Sequence, residues 1–209
     1  MLKPMKLLVA TTNRGKLREI AEFLTPVGIE LLSLHDFKNP PAVVEDGATY
    51  EANALKKART LSAFAGLPAL ADDSGLEVEA LGGAPGVQSA RYSGENANDR
   101  RNNEKLLHAL AAVPEERRGA RFVCVLALCA PQSVTTPERL FRGECAGRIA
   151  YEPRGANGFG YDPLFFYPPL GRTFGELDPE TKRGVSHRGL ALQQLAAAWP
   201  GLGPFHDNR

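Results

Sequence analysis

The chain has 209 residues, 43% of them hydrophobic and 23% charged, which suits one large α/β domain or two closely packed lobes and excludes a disordered chain. Lys and Arg number 25 against 24 Asp and Glu, and the net charge of +1 excludes a general attraction to nucleic-acid backbones. No stretch approaches the ~20 apolar residues of a membrane span, the first residues lead into a strand rather than a signal peptide, and Cys124, Cys129 and Cys145 lack zinc or redox spacing, so a cytoplasmic protein with reduced thiols is expected.

Lys6 to Thr11 is a short apolar run that reads as a buried strand, broken at Thr12-Asn13. Leu17, Ile20, Ala21 and Leu24 then recur at helical spacing, which predicts a helix from near Arg14 that Pro26 and Gly28 end. Ile29 to Ser33 reads as a second strand, and residues 35–48, with Pro40-Pro41 and Glu45-Asp46-Gly47, as a loop. A helix is expected over Tyr50 to Ala65, with Ala54, Ala58, Leu61 and Ala65 on one stripe. A strand over Pro68 to Ala71 runs into Asp72-Asp73-Ser74-Gly75, and Gly82 to Gly86 forms a turn. Next come a helix over 100–111, then strands over 121–130 and 139–151. These are expected to pair antiparallel across a polar loop around Ser133 to Pro137. Asn157 to Asp162 is a glycine-rich loop, Pro163 to Tyr167 a short strand, and Ser186 the cap of a last helix carrying Leu192, Leu195, Ala196 and Trp199. Strand–helix alternation followed by a long hairpin predicts a mixed sheet flanked by helices, one domain over 1–199 with a frayed tail over 200–209. The polar motifs fall where strands end or helices begin, which is where open α/β sheets bind ligands.

Thr11-Thr12-Asn13-Arg14-Gly15-Lys16 joins a strand to a helix N-terminus, where free N–H groups and the helix dipole attract anions. It reads either as a triphosphate cradle or as an ordinary capped helix; it is not a Walker A loop. Asp72 and Asp73 end an apolar strand, where burial penalises them unless they are paired or bind a metal. Neighbours on a strand face opposite ways, so the two acids have different jobs, unless the segment is a solvated surface turn. Glu45 and Lys57 flank the start of the second helix; they either face solvent, as such residues usually do, or complete a Mg²⁺-phosphate site, since Mg²⁺ takes few carboxylates plus phosphate and water. Gly158-Phe159-Gly160-Tyr161-Asp162 offers rings on which a base can stack, or is a tight turn with core aromatics. Lys182, His187 and Arg188 offer hydrogen-bond donors to a carbonyl or phosphate oxygen, or belong to an ordinary helix start. The arginines Arg91, Arg100, Arg101, Arg117 and Arg118 lie among acids and read as solvated faces rather than as an RNA surface.

Taken in order, six motifs carry a resemblance. They are Thr11-x-Asn13-x-x-Lys16; Glu45-x-Gly47 with Asn53-Ala54-x-x-Lys57-Ala58; Ala71-Asp72-Asp73-Ser74-Gly75-Leu76; and the run from Leu81-Gly82-Gly83-Ala84-Pro85-Gly86 to Ser93-Gly94. Phe159-Gly160-Tyr161-Asp162-Pro163 and Ser186-His187-Arg188-Gly189 complete the set. In this order, from about Lys6 to Trp199, the chain resembles the Ham1-like inosine/xanthosine triphosphate pyrophosphatases. The resemblance implies an elongated α/β fold with a central mixed sheet, two lobes with the active-site cleft between them, and a homodimer. It implies Mg²⁺-dependent hydrolysis of ITP, dITP and XTP to the monophosphate and pyrophosphate, with a nucleotide rather than a nucleic acid or membrane as partner. It further implies that Thr11, Thr12, Asn13, Arg14, Gly15, Lys16 and Lys57 hold phosphates, that Glu45 and Asp73 serve Mg²⁺, and that Asp73 is the general base. Ser74, Phe159, Gly160, Tyr161, Asp162, Lys182, His187 and Arg188 are implied to contact the nucleotide. The chain departs from many relatives at Glu51-Ala52-Asn53, where the acid does not directly precede the Asn. Two competing readings are a pyrophosphatase for another base and a nucleotide sensor without turnover; the paired acids argue against the second, because phosphate binding does not call for extra negative charge.

Overall fold

The structure is a computed structural model that describes residues 6–27, 29–131 and 138–202. β1 (Lys6–Val9) is buried beyond its first residue, as befits a strand covered on both faces. Asn13 leaves the strand with extended backbone and caps α1 (Arg14–Leu24), its side chain accepting from the Lys16 N–H at 3.0 Å. A 3₁₀ turn over Thr25–Val27, containing Pro26, follows α1. β2 (Glu30–Ser33) comes next, then a loop, and α2 (Tyr50–Ala65) runs from the Thr49 cap to Gly66, whose left-handed backbone ends it.

β3 (Ala69–Val78) is longer than expected. The strand does not stop at the acidic pair but carries Asp72 to Gly75 through its middle. Buried acids are tolerated there because each has cationic partners, described below. α3 (Asp99–Ala109) leads to β4 (Gly119–Cys129) and β5 (Arg139–Ile149), then to the short strands β6 (Phe165–Tyr167) and β7 (Arg172–Thr173). Two helices close the described chain: α4 (Pro179–Val185) and α5 (His187–Ala198). Ser186 does cap α5, its hydroxyl accepting from the Gly189 N–H at 3.1 Å. α4 was not expected; it has an Asp-Pro start, with Asp178 accepting from the Thr181 N–H at 2.8 Å, but is too short to show an apolar stripe. The expected polar loop at Ser133 to Pro137, the Gly28 helix stop and most of the expected tail lie outside the described residues.

The strands form one open sheet in the order β2-β1-β3-β4-β5-β6-β7. β1 is parallel to β2 and β3, whereas β6 is antiparallel to β5 and β7, so the sheet is mixed. The chain divides into two compact units. The first comprises the described residues of Met1–Asp73, Val125–Arg142 and Ala191–Arg209. Its buried residues include Leu7 to Val9, Ile20, Leu24, Ala54, Ala58, Leu61, Leu70 and Val125 to Cys129. The second comprises Ser74–Cys124 and Gly143–Leu190. Its core joins Leu76, Leu106, Ile149, Tyr161 and Leu164 to three phenylalanines. Phe122 lies 4.5 Å from Phe165 and 5.9 Å from Phe174, ring centre to ring centre. Among the described residues no helix is long and apolar enough to cross a membrane.

Arg118 is not the solvated residue its sequence context suggests. It is 1% exposed and donates to four backbone carbonyls, those of Ile149 (2.9 Å), Leu110 (2.9 Å), Val113 (3.2 Å) and Ala150 (3.2 Å). Its guanidinium also lies 4.3 Å from the centre of the Tyr151 ring. One planar cation thereby ties the end of α3 and the turn after it to the end of β5. Arg118→Met should lower stability by about 3 kcal/mol or more, because it strands several buried acceptors together. Urea denaturation measures this; a loss below about 1 kcal/mol, no more than one ordinary hydrogen bond, would contradict it.

Candidate active site

In the first unit the site is built around Asp72 and Asp73, which are 1% and 5% exposed. Their alternation along β3 sends them to different partners. The Asp72 carboxylate pairs with the ammonium of Lys16, from the first turn of α1. Asp73 meets α2: its Oδ2 accepts from Asn53 Nδ2 at 3.1 Å, and its Oδ1 lies 3.7 Å from Lys57 Nζ. Lys57 is the hub. It donates to the Asp72 carbonyl at 2.6 Å and to Glu45 Oε2 at 2.9 Å while facing Asp73. It therefore holds the acids in place besides offering charge to an anion.

Asn53 fastens the Glu45 loop to the same point. Its Oδ1 accepts from the Gly47 N–H at 2.8 Å, while its Nδ2 holds Asp73. A Cβ on residue 47 would stand 2.7 Å from that oxygen, so the close approach requires glycine. Asn53 belongs to a sequence motif, but its role comes only from the fold. A polar, poor helix former in mid-helix, four residues before Lys57 and so on the same face, was the available signal. Glu51 accepts from Arg142 at 2.5 Å in a partly exposed pair.

The Thr11 to Lys16 segment starts α1. The Thr11 hydroxyl accepts from the Asn13 N–H at 3.1 Å, Thr12, Asn13 and Arg14 are exposed, and Thr11, Gly15 and Lys16 are half-buried. The helix N-terminus is thus open to solvent, with the Lys16–Asp72 pair beside its first turn.

Burial pushes Asp73 up to about 6, against the pull of Lys57, Lys16 and the Asn53 amide. Burial also works to raise Glu45, but Lys57 outweighs it and holds that carboxyl below its ordinary value. The Glu45 carboxyl lies within hydrogen-bonding reach of Asp73. Two carboxyls brought together, one with an elevated pKa, form a hard-oxygen donor set that suits a divalent cation. No group of three or more His, Cys, Asp or Glu placed to hold a metal occurs among the described residues. Two carboxylates leave the remaining positions of Mg²⁺ for water and phosphate, which is the arrangement it prefers.

The second unit gathers the other candidates. Ser74 follows Asp73 in β3, and its Oγ lies 3.2 Å from Arg188 Nη2. His187 stacks on Phe122 at 4.5 Å and 14°. Asp162 Oδ2 accepts both from Lys182 Nζ at 2.6 Å and from the Phe159 N–H at 2.8 Å. Gly158, with φ of 76°, lets this happen: a Cβ there would fall 2.0 Å from that same oxygen. Tyr161 is buried in the core, with its hydroxyl donating to the Ser89 carbonyl at 2.8 Å. Phe159 is the partly exposed ring of the loop, and the cations of Lys182 and Arg188 lie 5.0 and 5.6 Å from its centre.

A model of the Ham1 family matches residues 7–198. The chain belongs to that family. It is 56% identical to a dITP/XTP pyrophosphatase of Syntrophobacter fumaroxidans, over 90% of this chain and 79% of the relative. It is 55% identical to a dITP/XTP pyrophosphatase of Geobacter sulfurreducens, over 94% of this chain and 98% of the relative. Among solved structures, a HAM1 protein from Coxiella burnetii superimposes with a TM-score of 0.85 at 44% identity, over 94% of this chain and 99% of that one. The Staphylococcus aureus Ham1 protein gives 0.82 at 37%, over 94% and 98%. The mixed open sheet flanked by helices is the Ham1 fold.

Asp73→Asn separates chemistry from folding. If Asp73 is the general base that the family resemblance implies, turnover should fall by about 10²-fold or more, the usual cost of a lost base. Lys57 keeps Glu45 and Lys16 keeps Asp72, so no cation is stranded. An acid whose native pKa is raised weakens the fold as pH climbs from its unfolded value of 3.8 to its native value of about 6, because the unfolded chain ionises first. Asn carries no such penalty. The metal-free variant should therefore melt at or above wild type over pH 7, and its advantage should vanish below about pH 4. Turnover above a tenth of wild type, or a lower melting temperature at neutral pH, would contradict the assignment.

Proposed function

We propose that this chain is a Mg²⁺-dependent nucleoside triphosphate pyrophosphatase that hydrolyses ITP, dITP and XTP to the monophosphate and pyrophosphate, clearing non-standard purines from the nucleotide pool. The observation that carries the reading is the buried Asp73, with a pKa near neutrality, set among Glu45, Lys57 and Asn53. The names of the relatives support the substrate class.

Asp73 and Glu45 would hold Mg²⁺, which when bound draws charge from the phosphate oxygens. In the metal-free protein Asp73, with a pKa of about 6, is ionised at neutral pH and so open to a proton. Asp73 takes one from the water that attacks the α-phosphorus. Lys16, Lys57 and the open N–H groups at the start of α1 neutralise the phosphates and the departing pyrophosphate. The Asp72 carboxylate keeps the Lys16 ammonium near the phosphates and lets Asp73 work alone as base. In the second unit, Phe159 stacks on the purine, while Lys182, His187, Arg188 and Ser74 meet its polar edge. On this reading the enzyme works as a cytoplasmic homodimer on free nucleotides, with no nucleic-acid or membrane partner.

Discrimination against ATP follows from position 6 of the purine. ITP and XTP present a carbonyl there, and Lys182 and Arg188 offer only donors; the amino group of ATP meets them with another donor. Such a mismatch is worth on the order of 10⁴-fold in kcat/KM. A hydrolysis panel of ITP, dITP, XTP, ATP, GTP, CTP and UTP with Mg²⁺, its products identified by phosphorus NMR, tests this. Pyrophosphate and monophosphate are expected from the first three. Equal kcat/KM for ATP and ITP, or orthophosphate as first product, would refute the reading.

A further inference from the structure

The recognition loop in the second unit is held by a helix to which neither the motifs nor the proposed chemistry assigns a role. Both polar groups of Gly160 are taken by the start of α3. The Gly160 N–H donates to Asp99 Oδ2 at 2.7 Å, and the Gly160 carbonyl accepts from Asn103 Nδ2 at 2.9 Å. Asp99 and Asn103 are one helical turn apart, on the same face of α3. Asp99 does not cap its own helix; Asn98 does that, accepting from the Arg101 N–H at 3.0 Å. The Asp99 carboxylate reaches across 61 residues of sequence to a peptide group of the loop. Asn103 keeps its Oδ1 buried without a hydrogen-bond partner, a cost it bears while the amide faces Gly160. The neighbouring Asn102 is spent elsewhere, on the Ser93 N–H and the Ser89 and Ala90 carbonyls.

Gly160 lies between Phe159 and Tyr161 with φ of 62°. Tyr161 is fixed in the core through Ser89, and the Phe159 N–H is fixed by Asp162. The Phe159 carbonyl also accepts from the Asp162 N–H at 3.2 Å, so α3 supplies the remaining tethers of the turn: without Asp99 and Asn103 both polar groups of Gly160 are released and the Phe159 backbone is left anchored through Asp162. We propose that Asp99 and Asn103 are positioning residues for base recognition: they lock the two peptides that flank Gly160 and so set the plane in which Phe159 receives a purine. The proposal rests on the reading of Phe159 as the stacking ring. It requires Asp99 to accept a hydrogen bond and Asn103 to donate one, so the two residues respond oppositely to exchange of acid and amide.

The experiment compares Asp99→Asn, Asp99→Leu and Asn103→Asp with wild type in KM and kcat for ITP and ATP, and in Ki for inorganic pyrophosphate with Mg²⁺. Asp99→Asn still offers an acceptor to Gly160 and should retain wild-type KM and selectivity within a few-fold. Asp99→Leu loses the acceptor, and Asn103→Asp sets a carboxylate against a carbonyl. Each should raise KM for ITP by about tenfold, the scale of one lost hydrogen bond to a charged group, and narrow the ITP-over-ATP preference. Ki for pyrophosphate should stay unchanged, because the phosphate groups are held by residues of the first unit. Parallel rises in KM and Ki, an unaltered KM in both damaging variants, or equal damage from Asp99→Asn and Asp99→Leu would overturn the proposal. Failure of wild type to prefer ITP would instead overturn the functional reading on which it rests.

Discussion

Burying two adjacent carboxylates in the middle of a strand is the constraint on which the site depends. An unpaired buried charge is prohibitively costly, so the surroundings of β3 have to supply cations and donors at fixed places. Lys16 on α1 answers Asp72; Lys57 and Asn53 on α2 answer Asp73. The supply is unequal. Asp72 has its own ammonium, whereas Asp73 shares Lys57 with Glu45 and the Asp72 carbonyl and is left with a raised proton affinity. Burial, only partly offset by Lys57 and Lys16, raises Asp73 to about 6, and on the proposed reading this makes it the reactive member of the pair.

The second unit solves a different problem with backbone rather than charge. The loop from Gly158 to Asp162 has no regular structure to hold its shape, so each residue from Phe159 to Asp162 is tied separately. Asp162 takes the Phe159 N–H, α3 takes both groups of Gly160, and Ser89 takes the Tyr161 hydroxyl. Glycine at 158 permits the first of these contacts. If Phe159 stacks on a base as proposed, a ring presented by such a loop is preorganised, and little ordering entropy is left to lose.

Much of this was legible in the sequence because it follows from local rules. The extent of α2 from Tyr50 to Ala65 follows from the stripe of Ala54, Ala58, Leu61 and Ala65, and the Ser186 cap from its side-chain chemistry. The opposite assignments of Asp72 and Asp73 follow from strand alternation. What stayed hidden depends on partners distant in sequence. Composition does not distinguish the buried Arg118 from the exposed Arg100, since the difference lies in carbonyls up to 32 residues away. The extension of β3 past the acids needed Lys16 and Lys57 to be in place, and Asn53, Asp99 and Asn103 draw their roles from Asp73, Gly47 and Gly160. Tyr161 and Phe159 look alike as loop aromatics; only the fold buries one and leaves the other partly exposed.

On the proposed reading, Asp73 is a carboxyl that burial raises to about 6 against the pull of Lys57 and Lys16, able to take both a metal and a proton. A carbon-13 NMR titration of its carboxyl carbon in the metal-free protein, repeated with saturating Mg²⁺, tests this most directly. The account expects a midpoint of about 6 without metal and a clearly lower one with it. A midpoint close to 3.8 in the metal-free protein, or one that Mg²⁺ leaves unmoved, would contradict it.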